Sequence, residues 1–105
     1  MKEITPQELK KKIDSNEDFQ LIDVREQHEY DLVNIGGELM PVGSILQEMD
    51  KISTSKQVVI YCRSGNRSGA VIHELEKRLG FTNLYNLKGG IIAYAREVDN
   101  SLPVY

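Results

Sequence analysis

The 105-residue sequence has a single cysteine, Cys62, and no tryptophan. One thiol excludes an internal disulfide framework, a four-cysteine zinc site and any chemistry that needs a second cysteine of the same chain to resolve an intermediate. No apolar stretch approaches the length of a membrane span, and Met1 to Ser15 lacks the apolar core of a secretory leader. Basic charge is not in excess: 13 Lys and Arg stand against 16 Asp and Glu, and apart from Lys10-Lys11-Lys12 they are scattered among acids. Neither nucleic acid nor a membrane is therefore an expected partner. There is no internal repeat or low-complexity linker, and the Gly-x4-Gly-Lys-Ser/Thr spacing of a phosphate-binding P-loop is missing. With 40% apolar and 28% charged residues, what remains is the composition of one small globular domain over residues 1–105, expected in a reducing cytoplasm where a lone thiol stays a thiol.

Thr5, Pro6 and Glu8 read as an N-cap, a first-turn proline and a capping-box glutamate, opening a helix to about Ser15 with Leu9 and Ile13 on its buried side. Phe19 to Val24 is rich in strand formers, Gln27 to Leu32 reads as a short helix, and Gly36-Gly37 breaks it before a brief strand around Leu39 to Val42. Ser44 to Ile52 reads helical, with Ile45, Met49 and Ile52 on one side. Val58-Val59-Ile60-Tyr61 carries no charge and is bounded by polar residues, the pattern of a strand buried on both faces. From Ser68 to Leu79 the positions Val71, Leu75 and Leu79 recur every four residues, with Gly80 as a stop. Leu84 to Leu87 is a further strand, Gly89-Gly90 a turn and Ile91 to Val98 a last helix. Strands alternating with helices imply an α/β fold around a parallel sheet covered on both faces.

In such sheets ligands bind beyond the carboxyl ends of the strands, and Cys62 sits at that end of the most buried one. Arg63-Ser64-Gly65-Asn66-Arg67 lies between it and the next helix. A loop of this kind turns backbone N–H groups inward, the helix adds the positive end of its dipole, and two arginines add charge, all of which favour the thiolate. The thiolate is the nucleophile. Gly65 supplies the positive φ or the close backbone approach that the cradle needs.

Asp23-Val24-Arg25-Glu26 with Glu29-Tyr30, the loop Cys62 to Ser68, and Leu87-Lys88-Gly89-Gly90-Ile91 followed by Ala93 resemble three successive signatures of the rhodanese-like domain family. The resemblance spans nearly the whole chain in the right order. It implies a three-layer α/β/α sandwich around a five-stranded parallel sheet. Because many single-domain members are sulfurtransferases carrying sulfur as a persulfide on the loop cysteine, it also implies that Cys62 is that cysteine. The sequence departs from the family in two places: no histidine precedes the turn Val33-Asn34-Ile35-Gly36-Gly37, and Tyr94 stands where members often have tryptophan.

Relatives of the fold also include phosphatases and arsenate reductases. A cysteine-dependent phosphatase needs Cys-x5-Arg, so that the guanidinium forks two oxygens of a tetrahedral oxyanion. Here the sixth position after Cys62 is Ser68, and the arginine comes one residue early, at Arg67. That favours a single outer sulfur over a phosphoryl group. The absence of a second cysteine disfavours an arsenate reductase that closes an internal disulfide.

The expected reaction is a double displacement. Cys62 takes a sulfane sulfur from thiosulfate, a polysulfide or a protein persulfide, and an external thiol, cyanide or a protein acceptor then removes it, with no metal or organic cofactor required. Loop N–H groups from about Arg63 to Arg67 would hold the outer sulfur, while Arg63 and Arg67 would attract a small anionic donor. Asp23 and Arg25, at the end of a neighbouring strand, are expected to act mainly structurally, Arg25 pairing with Glu29 or Asp23, and Ser68 to support the loop. His28 and His73 are expected to be solvated. The competing readings are a non-catalytic binding or regulatory module and, behind it, a phosphatase.

Overall fold

Five short strands alternate with four helices along the chain in the computed structural model, which describes residues 1–103 and 105. The strands are β1 (Glu3–Ile4), β2 (Gln20–Asp23), β3 (Glu38–Leu39), β4 (Val58–Tyr61) and β5 (Leu84–Leu87). The helices are α1 (Pro6–Asp14), α2 (Gln27–Leu32), α3 (Asn66–Leu79) and α4 (Gly90–Glu97). All strand pairs are parallel, in the order β1-β5-β4-β2-β3, and β4 lies at the centre with Val58 opposite Gln20 on one side and Leu84 on the other. This is the three-layer α/β/α sandwich that the family resemblance implies, built on the parallel sheet expected from the alternation of strands and helices.

Alternation along β4 builds both cores. Val58 and Ile60 face a cluster with Ile22, Met40, Ile45, Val71, Ile72 and Leu75, under α3, and Cys62 continues the same row. Val59 and Tyr61 face Ile4, Leu9, Val33, Leu87, Ile91 and Tyr94, under α1, α2 and α4. All four β4 side chains are fully buried, so the strand whose end carries Cys62 is fixed from both faces. Tyr94, about one helical turn after Ile91 on the same face of α4, contributes to the second cluster.

Thr5 caps α1 as its sequence pattern requires: the Glu8 N–H donates to Thr5 Oγ1 at 3.1 Å and the Thr5 N–H to Glu8 Oε1 at 2.9 Å. Gly80 ends α3 in the left-handed region at φ 71°.

The fold differs from the sequence expectations at four points. β1, only two residues long and paired with β5, was not expected, because two residues carry no periodicity to read. Ser44 to Ile52 is two 3-10 turns, Ile45–Gln47 and Met49–Lys51, rather than one helix. Their N–H groups bond three residues back, and the tighter winding buries Ile45 and Ile52 while leaving Met49 exposed. Ile13 and Leu79, each in the last turn of its helix, project past the sheet into solvent. The brief strand at Leu39 to Val42 shrinks to Glu38–Leu39, since Pro41 has no N–H to continue a ladder.

Candidate active site

The chain leaves β4 at Tyr61, and the next side chain, Cys62, points back under the loop with 1% of its surface exposed. Gly65 adopts φ +103°, a conformation costly for any residue with a Cβ, and this turns the chain so that its N–H donates to Cys62 Sγ at 3.1 Å. Ser68 adds a second N–H at 3.4 Å and its hydroxyl at 3.3 Å. The first N–H groups of an α-helix have no partner within the helix, and Gly65, at the N-cap of α3, has no side chain to supply one. The sulfur fills that role for Ser68. It therefore lies on the positive end of a 14-residue helix, where a negative charge is stabilised by about 0.3–1 kcal/mol from the dipole alone.

Two further elements hold the loop open to the sulfur. At the start of α4, the Ile91 N–H donates to the Cys62 carbonyl at 2.9 Å and the Ile92 N–H to the Arg63 carbonyl at 3.2 Å, so the loop carbonyls turn away from Sγ. Gly90 makes this approach possible: it is buried at φ +64°, and a Cβ there would overlap the main chain of Cys62 and Arg63. From β5, Asn86 accepts the Ser68 hydroxyl at 2.6 Å and donates Nδ2–H to the Gly65 carbonyl at 3.0 Å, tying both ends of the turn to the sheet.

A charged network lies beside the loop. Asp23 and Arg25 are both fully buried and paired, Nε to Oδ1 at 3.0 Å and Nη2 to Oδ2 at 2.8 Å, and Arg25 also donates to the Val33 carbonyl at 2.7 Å. Burial opposes the Arg25 charge, but the hydrogen bonds to Asp23 and Tyr105 more than offset it and hold the guanidinium protonated. Arg67 forks Glu29 on α2, Nη1 to Oε1 at 2.7 Å and Nη2 to Oε2 at 2.9 Å. This fork pulls the Glu29 carboxyl down to about 2, against the opposing effect of burial. Tyr105 closes the network: its hydroxyl donates to Glu29 Oε2 at 2.8 Å and accepts from Arg25 Nη1 at 2.9 Å. The Arg63 guanidinium lies over the Tyr105 ring, 5.1 Å from its centre, and both its Nε and Nη2 donate to the Tyr105 main-chain oxygen.

Cys62, Arg63, Ser64, Gly65, Asn66, Arg67 and Ser68 thus form one loop and helix start, as their adjacency requires, with Ser64 and Asn66 exposed on its outer side. Asp23 and Arg25 pair with each other beneath α2. Arg67 and Arg63, expected to attract an incoming anion, have Glu29 and Tyr105 as partners. Asn86, Gly90 and Tyr105 went unnoticed as site residues: each lies far from the loop in sequence, and only the parallel pairing of β4 with β5 brings the first two to it. His28 and His73 are exposed, as expected. Among the described residues, no group of three His, Cys, Asp or Glu side chains is placed to hold a metal ion, and no helix is long and apolar enough to cross a membrane.

The comparisons with known proteins fall where this geometry leads. The family described as "Rhodanese-like domain" matches residues 5–97. A curated relative, the probable adenylyltransferase/sulfurtransferase MoeZ of Mycobacterium tuberculosis, is 35% identical over 97% of the chain, which spans 26% of that protein's length. The uncharacterized protein YqhL of Bacillus subtilis is 43% identical over 68% of the chain and 56% of its own length. Among solved structures, a rhodanese-like domain protein from Staphylococcus aureus superposes with a TM-score of 0.82 at 29% identity, covering 100% of this chain and 99% of that one. The loop between β4 and α3, the five-stranded parallel sheet that carries it and the match over residues 5–97 place the chain in the rhodanese-like domain family.

Proposed function

We propose that the protein is a sulfurtransferase of the rhodanese type that carries sulfur as a persulfide on Cys62. The observation that carries this reading is the convergence of three donors, the N–H groups of Gly65 and Ser68 and the Ser68 hydroxyl, on one buried sulfur. Such donors stabilise negative charge on Sγ and on a sulfur bonded to it, and the two N–H groups are already aimed there when the charge develops. In the first step the Cys62 thiolate attacks the sulfane sulfur of a donor, the donor's S–S bond breaks, and the leaving group departs with the electron pair. In the second, an acceptor thiolate or cyanide attacks the outer sulfur and the Cys62 thiolate leaves. No metal or organic cofactor takes part in either step.

Phosphoryl transfer is disfavoured by the loop itself. The sixth position after Cys62 is Ser68, whose hydroxyl faces the sulfur, and Arg67 one residue earlier is turned to Glu29, leaving no guanidinium to fork a phosphate. Relatives named sulfurtransferases, such as MoeZ, and a relative named a putative sulfur carrier protein, YrkF of Bacillus subtilis, support sulfur chemistry for this chain as well.

A second reading, a non-catalytic binding module, draws on the burial of Cys62 at 1% exposure. One experiment separates the two. Incubated with thiosulfate or with the persulfide of a small thiol and then analysed by intact mass, the wild-type protein gains one sulfur atom and Cys62→Ser gains none. Equal gain in both, or none in either, overturns the assignment.

A further inference from the structure

Both arginines of the loop already have partners within the protein, and this bears on which donor the site takes. Resting on the persulfide reading above, we propose that Glu29 and Tyr105 determine donor specificity. By occupying the Arg67 and Arg63 guanidinium groups, they select a donor that presents its sulfur as a persulfide or polysulfide, R–S–SH, over the thiosulfate dianion.

Thiosulfate brings two negative charges and a three-oxygen sulfonate end that must exchange hydration for cationic donors. A guanidinium is the side chain whose fork matches such oxygens. Here both terminal nitrogens of Arg67 lie on Glu29, at 2.7 and 2.9 Å. Glu29 is held in turn by the Glu26 N–H at 3.1 Å and the Tyr105 hydroxyl at 2.8 Å, and is 8% exposed, so its carboxylate cannot swing aside without leaving charge buried. Arg63 is stacked on the Tyr105 ring and bound to its main-chain oxygen. A dianion would have to compete with Glu29 for the Arg67 fork and with Tyr105 for Arg63.

A persulfide asks for less. It presents one terminal sulfur, and the groups already aimed at Sγ from Gly65 and Ser68 suit a single atom. The step is Cys62-S⁻ + R–S–SH → Cys62-S–SH + R–S⁻. One S–S bond forms at Cys62 Sγ, the donor's S–S bond breaks, the donor thiol is reduced to thiolate as its outer sulfur passes over, and charge is conserved.

Sulfur transfer to cyanide from thiosulfate and from the persulfide of 2-mercaptoethanol, whose organic part is uncharged, measured side by side on the wild-type protein, Glu29→Gln and Tyr105→Phe, tests the proposal. The wild type favours the persulfide in kcat/KM. In Glu29→Gln the ratio of the two specificity constants moves toward thiosulfate by about tenfold, mainly through a lower KM for thiosulfate, as removal of one charge beside an anion site requires. Tyr105→Phe, which keeps the ring and the main-chain oxygen, moves it in the same direction by about threefold. A purely structural role would lower both donors together and leave the ratio where it was. A wild type that prefers thiosulfate, or a ratio unmoved in both variants while both donors react, overturns the inference and leaves the persulfide chemistry standing. A wild type that accepts sulfur from neither donor overturns both.

Discussion

The Ser68 hydroxyl oxygen lies 3.3 Å from the Cys62 sulfur. It has one proton and a second, closer acceptor, Asn86 Oδ1 at 2.6 Å. With Cys62 as a thiol, the S–H donates to Ser68 Oγ and the hydroxyl proton stays on Asn86. A thiolate or persulfide at Cys62 is a charged acceptor that competes with Asn86 Oδ1 for the same hydroxyl proton.

Ser68→Ala removes this donor while keeping the Ser68 N–H on the sulfur. Loss of one donor to a charged group costs about 1.5–3 kcal/mol, so formation of the Cys62 persulfide should slow by about ten- to a hundredfold. Stopped-flow mixing with a persulfide donor, quenched for intact mass, reads this directly. An unchanged rate would show that the two N–H groups alone carry the charge.

Gly90 is the point where α4 meets the loop. A methyl group at Gly90 meets the Cys62 and Arg63 main chain at a φ of +64° that an L-residue adopts at a cost. Gly90→Ala is expected to destabilise the fold by about 2 kcal/mol, from backbone strain and displacement of the loop together. The same substitution at Gly36, also at positive φ but with open space around it, costs only the backbone strain. Chemical unfolding of the two variants checks the difference, and equal losses would mean that the α4 contact is loose.

Much of this fold is legible in the sequence because its signals are local. The charge-free run Val58 to Tyr61, the Thr5–Glu8 capping box and the Gly80 stop each depend on a few neighbouring residues, and each appears where expected. Cys62 and its loop are legible for the same reason. Glu29, Asn86, Gly90 and Tyr105 act on the loop from four other segments; Glu29 and Gly90 stand in family-like signatures, but nothing local to any of the four says that it meets the loop. Asn86 reads as an ordinary strand residue until β5 pairs with β4, and Tyr105 belongs to a polar tail whose path over Arg25 and Arg63 has no sequence pattern. The two arginines show the cost of reading charge without partners. What they face is set by residues 38 and 42 positions away.

The buried pair Asp23–Arg25 gives a sharper test of stability than of function. Asp23→Ala leaves the fully buried Arg25 guanidinium with the Val33 and Glu29 carbonyls and the Tyr105 hydroxyl but no carboxylate. Breaking a buried pair from one side costs about 3–5 kcal/mol. The double variant Asp23→Ala/Arg25→Met should recover a large part of that loss, since no charge is then stranded. Urea denaturation of the single and double variants decides it, and a double variant no more stable than the single would mean that the pair contributes by its geometry rather than by neutralising Arg25.

Glu29 ties stability to pH. Its carboxyl is held at about 2 by the Arg67 fork, below an ordinary value of 4.5. The folded protein therefore holds this carboxylate ionised over a range in which the unfolded chain protonates it, and the unfolded state binds the extra proton. The stabilisation is fully present above about pH 5, declines as the pH falls through 4.5, and is gone once the pH passes below about 2, where both states are protonated. In Glu29→Gln that titration is absent. The gap in unfolding free energy between wild type and variant should accordingly be constant from pH 7 to about 5 and narrow steadily toward pH 2.5, with 1 M salt weakening it less than it would an exposed pair because Glu29 is buried. Urea titrations of both proteins at half-unit pH intervals measure the gap. If it stays constant down to pH 2.5, the Arg67 fork does not hold the charge of Glu29, and the donor-specificity assignment for that residue loses its electrostatic basis.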